Sequence, residues 1–314
     1  MTERKRTGRR MSAPSTSFWK RCFRQRYLIL MTIPAVIAIF LFNYLPMYGV
    51  LIAFKSYKPA FGIWGSKWVG LKHFRMFFES VYAWRIIRNT LYISLYSFLF
   101  CFPAPIILAL LLNEVRCSPV KRVMQTISYL PHFISTVIMV GLVKNMVALD
   151  GPINHIIEAL GGDPITFLSR PEWFRTINVV SDIWQGVGWG SIIYMAALAG
   201  VPMEQYEAAI IDGANRWQQT WNITIPAILP TVVVLMILNI QGLLGGNTSK
   251  ILLLYNESIY ETADIIGTCV YREGIQGMRY GYSAAVDLFT SVISIILVVF
   301  ANTVSKKVTE YSLW

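Results

Sequence analysis

Long runs free of charge alternate along the chain with shorter polar connections. No charged residue occurs between Arg26 and Lys55, and none between Asn89 and Asn113. A third apolar run follows Arg122 and extends to about Val143. A fourth, from about Thr176 to Gly200, carries one acid, Asp182. The fifth begins at Pro226 and ends near Gly245, and the sixth covers about Tyr282 to Ser305 with Asp287 inside it. Crossing a bilayer core of about 30 Å takes roughly 20 apolar residues at about 1.5 Å rise each. The pattern therefore predicts an all-α integral membrane protein with six transmembrane helices. The first, at about 27–52, is expected to kink at Pro34 and Pro46.

Between runs four and five lies the most polar stretch of the second half, Pro202 to Pro230. Pro202 suits a first helical turn, and Glu204 and Glu207 favour the positive end of a helix. Gly213 interrupts, and Ala214, Trp217 and Trp221 then recur at helical spacing. Two short helices with a glycine elbow, held between membrane spans, form a compact knob suited to a groove on a soluble partner.

The string Glu207-Ala208-Ala209-Ile210-Ile211-Asp212-Gly213-Ala214, followed by Ile223, Ile225, Pro226 and Leu229-Pro230, closely resembles the "EAA" loop of permease subunits in bacterial ABC importers. The resemblance implies a type I ABC importer permease (MetI-like) fold. It also implies that the 202–225 loop inserts into a cleft of a separate ATP-hydrolysing subunit, through Glu207, Ala208, Ala209, Asp212, Gly213, Ala214 and Arg216. Further segments are similar to the polysaccharide and oligosaccharide branch of carbohydrate permeases, the LplB-type branch, which is related more distantly to maltose permeases. They include Tyr44-Leu45-Pro46-Met47-Tyr48-Gly49, Ser128 to Ser135, and the closing Tyr311-Ser312-Leu313-Trp314. This likeness covers about 27 to 314. The segment Gly245-Gly246-Asn247-Thr248-Ser249 departs from it, where a more aromatic and acidic stretch is expected.

Composition agrees with a membrane protein. The 314 residues are 55% hydrophobic and 14% charged, with a mean hydropathy of +0.49, against about a quarter charged in soluble domains. The net charge of +11 does not point to nucleic acid, because nine of the 28 basic residues lie before Tyr27. That stretch, 1–26, reads as a basic cytoplasmic tail. Phe18, Trp19 and Phe23 interleave with its basic residues, as in a segment lying on an anionic lipid surface. A signal peptide is rejected, since the apolar run that follows is too long and lacks a small-residue cleavage site. Cys22, Cys101, Cys117 and Cys269 show no CxxC spacing, and the three histidines are scattered, so neither a disulfide frame nor a metal site is expected.

The basic tail, with Arg116, Lys121 and Arg122, predicts cytoplasmic N- and C-termini, and the resemblance implies a bacterial inner membrane, with the permease domain spanning 27–305 and a short tail 306–314. The Lys55–Arg88 connection runs against this rule, with seven basic residues on the outer side. Its many aromatics suit a segment along the interface.

Polar side chains inside a bilayer usually face a bundle interior or a wet path. In the fourth run Asn178, Asp182, Gln185 and Trp189 recur on one helical face, with Trp184 close by. Asn239, Gln241 and Asp287 come from runs five and six. Amides, carboxylates and rings suit a polyol, so these eight form the candidate sugar path. Ser128, Ser135, Ser283 and Ser291 read instead as helix–helix contacts. Gly186, Gly188 and Gly190 are not a phosphate loop: GxxxxGK[ST] is absent, and close helix packing accounts for them. HExxH and GxSxG are absent too, so no catalytic chemistry and no cofactor is expected, with ATP bound by partner subunits.

The function implied by the resemblance is import of an oligosaccharide by alternating access. The expected partners are a second homologous permease, two ATPase subunits and an extracytoplasmic solute-binding protein. The alternative is an ion-coupled secondary sugar transporter using Asp182 and Asp287. Glu257, Glu261, Asp264 and Glu273 gather between runs five and six and are expected to shape an external cap.

Overall fold

The computed structural model describes residues 25–309 and 312–313. The expectations for the basic tail, including Phe18, Trp19 and Phe23, fall outside the described residues. The chain divides into two units, Met1–Leu51 and Ile52–Trp314.

The first unit is the start of one apolar rod. Helix α1, Arg26–Ile39, continues through a wide turn at Phe40–Tyr44 into a tighter 3-10 segment, Leu45–Phe54. Pro34 sits inside α1 without ending it; the helix type changes at Phe40 and Leu45, just ahead of Pro46. Residues such as Met31 and Phe42 are almost wholly exposed, as hydrocarbon-facing side chains are.

The second unit opens with a small hairpin, Lys55–Ser56 (β1) against Lys67–Trp68 (β2), and helix α2, Lys72–Phe78. This stretch folds more than an interfacial strip requires. Phe77 is buried with Ile86, Tyr282 and Val286, while Trp64 and Trp84 stay exposed. Helices α3 (Ala83–Cys101) and α4 (Pro103–Glu114) form one 32-residue span.

The third span is not the continuous helix its hydropathy predicts. Helix α5, Ser118–Tyr129, and a short turn to Phe133 meet α6, Thr136–Met146, at 103°. Pro131 cannot donate to a helical ladder, and Ser135 caps α6 by accepting from the Ile138 N–H. After α7 (Pro152–Ala159) comes α8, Pro171–Ala199, which bends by 70° into α9, Met203–Ile211. Helix α10 (Arg216–Gln219) runs through Thr220–Thr224 into α11, Ile225–Leu243. Helices α12 (Thr248–Leu254) and α13 (Ile266–Tyr271) precede α14, Tyr280–Thr309, which extends past 305 through Lys306 and Lys307.

Among the described residues, four helices are long and apolar enough to span a membrane, and counting each bent pair as one span makes six. Ala109, Tyr194, Leu198 and Ile228 form the core joining α4, α8 and α11. The glycines of α8 have the packing role expected of them. A methyl group at Gly188 would overlap the Ser128 carbonyl of α5, and one at Gly190 would press on Pro105 of α4.

At one end of the bundle Tyr57 meets Tyr280, Asn256 bonds the Leu168 carbonyl, and Thr262 bonds the Pro171 carbonyl. At the other end Arg216 pairs with Glu114, and the Leu313 N–H donates to Asn302 Oδ1.

Candidate functional site: an exposed elbow and a polar path

The elbow is set by local chain chemistry. Pro202 is the N-cap of α9, one position earlier than expected, and Glu204 lies in its first turn. The helix ends because Gly213 adopts φ +78°, a left-handed conformation open to glycine; the Gly213 and Ala214 N–H groups return to Ile210 and Ala209. Asn215 then starts α10 with a reciprocal cap: its Oδ1 accepts from the Gln218 N–H at 2.9 Å, and its own N–H donates to Gln218 Oε1 at 2.7 Å. Ala214 therefore precedes the second helix rather than lying on its face, and that helix is the unbroken lead-in to α11, not a separate element. Tyr206 and Thr224 join the two arms through their hydroxyls at 2.9 Å.

Glu207, Ala208 and Asp212 are exposed, and neither acid forms an ion pair among the described residues. Arg216 is engaged by Glu114 of α4. Met203, Ile210, Ile211, Trp217 and Trp221 are all exposed, Ile211 to 85% and Trp217 to 75%. A groove of about 400 Å³ runs beside Trp217 and Arg216 along the end of α4. An apolar surface of this kind, ringed by unpaired acids, is shaped for a protein partner.

The eight polar-path residues do not form one site. Asn178, Asp182 and Asn239 line a cavity of about 390 Å³ with Ser94, Ser97 and Asn247. Asp182 also lines a second cavity, of about 530 Å³, with Gln185, Gly186, His132, Phe133 and Ser135. This second cavity lies at the break between α5 and α6. Broken backbone at membrane depth has to be satisfied by protein or water, and Gln185 Nε2 donates to the Ile134 carbonyl there at 3.0 Å. Trp189 stacks on His132 with centroids 4.5 Å apart and meets Phe133 edge-on. Trp184 is half-exposed and outside both cavities. Gln241 is exposed, lies outside both cavities, and makes no side-chain hydrogen bond among the described residues. Asp287 belongs elsewhere, in a third cavity of about 390 Å³ with Tyr271, Ser283 and Thr290. Ser128 and Ser135 are committed within their own turns, to the Met124 carbonyl and to the α6 cap, whereas Ser283 donates to the Val270 carbonyl of α13 and so joins two helices, as expected of it.

Two buried charges escape the sequence reading. Lys250, in α12, is completely buried; its Nζ is 2.7 Å from Asp182 Oδ1 and 2.6 Å from the Asn178 carbonyl oxygen. Burial pushes the Lys250 pKa below the ordinary lysine value, and the charge and hydrogen bond of Asp182 oppose that push. The glycine-rich departure at 245–249 serves this placement: Gly246 turns at φ +52° and Asn247 caps α12. A lone lysine in the apolar run Lys250 to Leu254 was the available signal, since such a residue needs a counter-ion.

The second charge is Asp264, which is not part of an exposed acidic cap. It is fully buried, held by both Nη atoms of Arg272 at 3.1 Å, by Arg85 at 3.2 Å and by the Thr268 hydroxyl at 2.8 Å. Of the three acids grouped with it, Glu273 pairs with Arg279, and Glu257 and Glu261 are exposed.

Comparison with known proteins matches residues 101–310 to a family described as "Binding-protein-dependent transport system inner membrane component". The chain is 47% identical to Protein LplB of Bacillus subtilis (strain 168) over 292 residues, covering 93% of this chain and 92% of that protein. It is 44% identical to the polygalacturonan/rhamnogalacturonan transport system permease protein YteP of the same organism, covering 93% and 91%. Among solved structures it matches, with a TM-score of 0.87 and 40% identity, a chain of a bacterial alginate ABC transporter in complex with an alginate pentasaccharide-bound periplasmic protein. That match covers 95% of this chain and 100% of the other. With its bent spans, its projecting elbow and this likeness along nearly its whole length, the chain belongs to the binding-protein-dependent transport system inner membrane components, the permease subunits of ABC transporters.

Proposed function

We propose that this permease imports an oligosaccharide, acidic ones included, by ATP-driven alternating access. The single observation that carries the reading is the 202–225 elbow, with Ile211 and Trp217 exposed beside the unpaired Glu207 and Asp212. It projects from the same end as the Glu114–Arg216 pair, which ties it to span two. Movement of a docked ATPase would reach α8 through α9 and α11 through α10, because the elbow is continuous with both spans. That end lies in the cytoplasm, as do both termini. The partners are two ATPase subunits, a second homologous permease and an extracytoplasmic binding protein. Sugar passes along the two cavities that share Asp182, where hydroxyl-binding groups and the Trp189–His132 stack lie together.

Names of relatives support the substrate class: polygalacturonan and alginate are both polymers of carboxylated sugars. Pairing of Asp182 with Lys250 disfavours an ion-coupled carrier, which needs a carboxylate free to load and release its ion.

The test is uptake by proteoliposomes holding the complete importer with its binding protein. Uptake that needs ATP inside and persists after sodium and proton gradients are collapsed fits the reading. Uptake driven by a gradient without ATP would overturn it.

A further inference from the structure

Among the described residues, Asp182 is the only Asp, Glu, Lys or Arg in the wall of either path cavity; the other polar lining consists of Ser, Thr, Asn, Gln and His132. The charge of both cavities therefore depends on one carboxylate and on what neutralises it. That partner is Lys250, which lines neither cavity yet reaches Asp182 from behind the wall. The two members are placed unequally: the Lys250 side chain is 0% exposed and that of Asp182 is 24% exposed. Taking away the lysine would leave a negative charge facing both cavities. Taking away the aspartate would leave an amine sealed in protein, where a proton is costly to keep.

We propose that Lys250 is a specificity-determining residue: by cancelling Asp182 it keeps the shared wall neutral and admits carboxylated as well as neutral oligosaccharides. The inference rests on the oligosaccharide reading above. Its physical basis is the repulsion between like charges a few ångströms apart in a poorly screened site, enough to change a rate by about tenfold or more.

The complete importer with its binding protein, in proteoliposomes, is assayed for ATP-driven uptake of two probes: trigalacturonate and its methyl ester. The readout is the acid-to-ester ratio, which normalises for expression and for the binding protein common to all variants. Lys250→Met is expected to lower that ratio by about tenfold. Asp182→Asn, and Lys250→Met combined with Asp182→Asn, are expected to stay within about twofold of the wild type, because neither leaves a naked carboxylate in the wall. Equal losses for both probes in Lys250→Met would mean a merely structural role and overturn the proposal. An unchanged ratio in that variant, or a double variant as selective as Lys250→Met alone, would do the same. Failure of the wild type to take up either probe would instead strike the oligosaccharide reading itself.

Discussion

The Tyr206 hydroxyl lies 2.9 Å from that of Thr224, and this bond closes the elbow from one arm to the other. Tyr206 belongs to α9, which continues α8, and Thr224 leads into α11. The bond thus makes the elbow act on two spans together rather than on one. Thr224 is buried, so its hydroxyl has no ready replacement partner in solvent. Tyr206→Phe removes one hydrogen bond, about 1 kcal/mol, which is too little to prevent folding. Uptake per ATP hydrolysed is expected to fall in this variant while its membrane level is unchanged. Simultaneous measurement of sugar uptake and phosphate release checks this, and an unaltered ratio would remove Tyr206 from the coupling route.

Gly213 separates strain from bulk. No atom lies within 4 Å of where its Cβ would stand, so a side chain meets open space, but φ is +78°. A residue other than glycine pays about 1–2 kcal/mol in that conformation, asparagine least among them. Gly213→Leu is therefore expected to distort the elbow and reduce co-purification of the ATPase subunit severalfold, and Gly213→Asn to retain most of it. Both variants should insert normally. Equal capture with leucine and asparagine would show that the turn is dispensable.

How much of this was legible in the sequence differs by element. The charge-free runs gave the spans because hydrocarbon thickness leaves few alternatives, and the string Glu207 to Ala214, with its glycine, located the elbow. The 103° break in span three was not legible: Pro131 and Ser135 mark a possible cap, but hydropathy is blind to direction. The pairing of Asp182 was not legible either, since Lys250 is 68 positions away along the chain and reaches it only through the turn at Gly246. Asp264 was misplaced for a related reason. A carboxylate among exposed acids looks solvated until the arginines that fold over it, Arg85 and Arg272, are located in three dimensions.

Asp264 anchors the end of the bundle that carries α2 and α13. Burial works against the Arg272 charge, but the hydrogen bonds and charge of Asp264 outweigh it and hold the guanidinium more firmly protonated than usual. Asp264→Asn leaves Arg85 and Arg272 facing each other without a counter-charge. Breaking a buried pair this way costs about 3–5 kcal/mol, toward the low end here because both arginines are about a third exposed. The purified variant is expected to unfold at a clearly lower temperature in detergent, followed by intrinsic fluorescence. A midpoint within a degree of the wild type would contradict this account.

Thiol reactivity tests orientation independently of transport. Cys117 is exposed at the turn between α4 and α5, while burial pushes the Cys269 pKa up to about 11. The thiolate is the reactive form, so at pH 8 about one Cys269 in a thousand is available, rising tenfold per pH unit. In a Cys22→Ser/Cys101→Ser background, a membrane-impermeant maleimide at pH 8 is expected to label Cys117 in inverted vesicles only and to spare Cys269 in both orientations. Labelling of Cys117 in right-side-out cells would place the elbow end of the bundle outside and defeat the docking proposal.

Two glycines of α8, one turn-half apart, carry opposite expectations. Nothing stands within 4 Å of a Cβ at Gly186, which faces the cavity at the α5–α6 break. At Gly188 the same atom would meet the backbone of Ser128 and Tyr129, which cannot rotate away as a side chain can. Gly186→Ala should therefore be tolerated and even favour the helix by about 1 kcal/mol, with transport altered only if the added methyl narrows the path. Gly188→Ala should force α8 and α5 apart, moving the Gln185–Ile134 contact and the Trp189–His132 stack with them. The expected result is a loss of folded protein on size-exclusion chromatography, at a cost of the order of overpacking a core, about 1–3 kcal/mol. Normal yield and transport in Gly188→Ala would mean that α5 and α8 do not approach this closely in the membrane, and that the cavity between them is built differently.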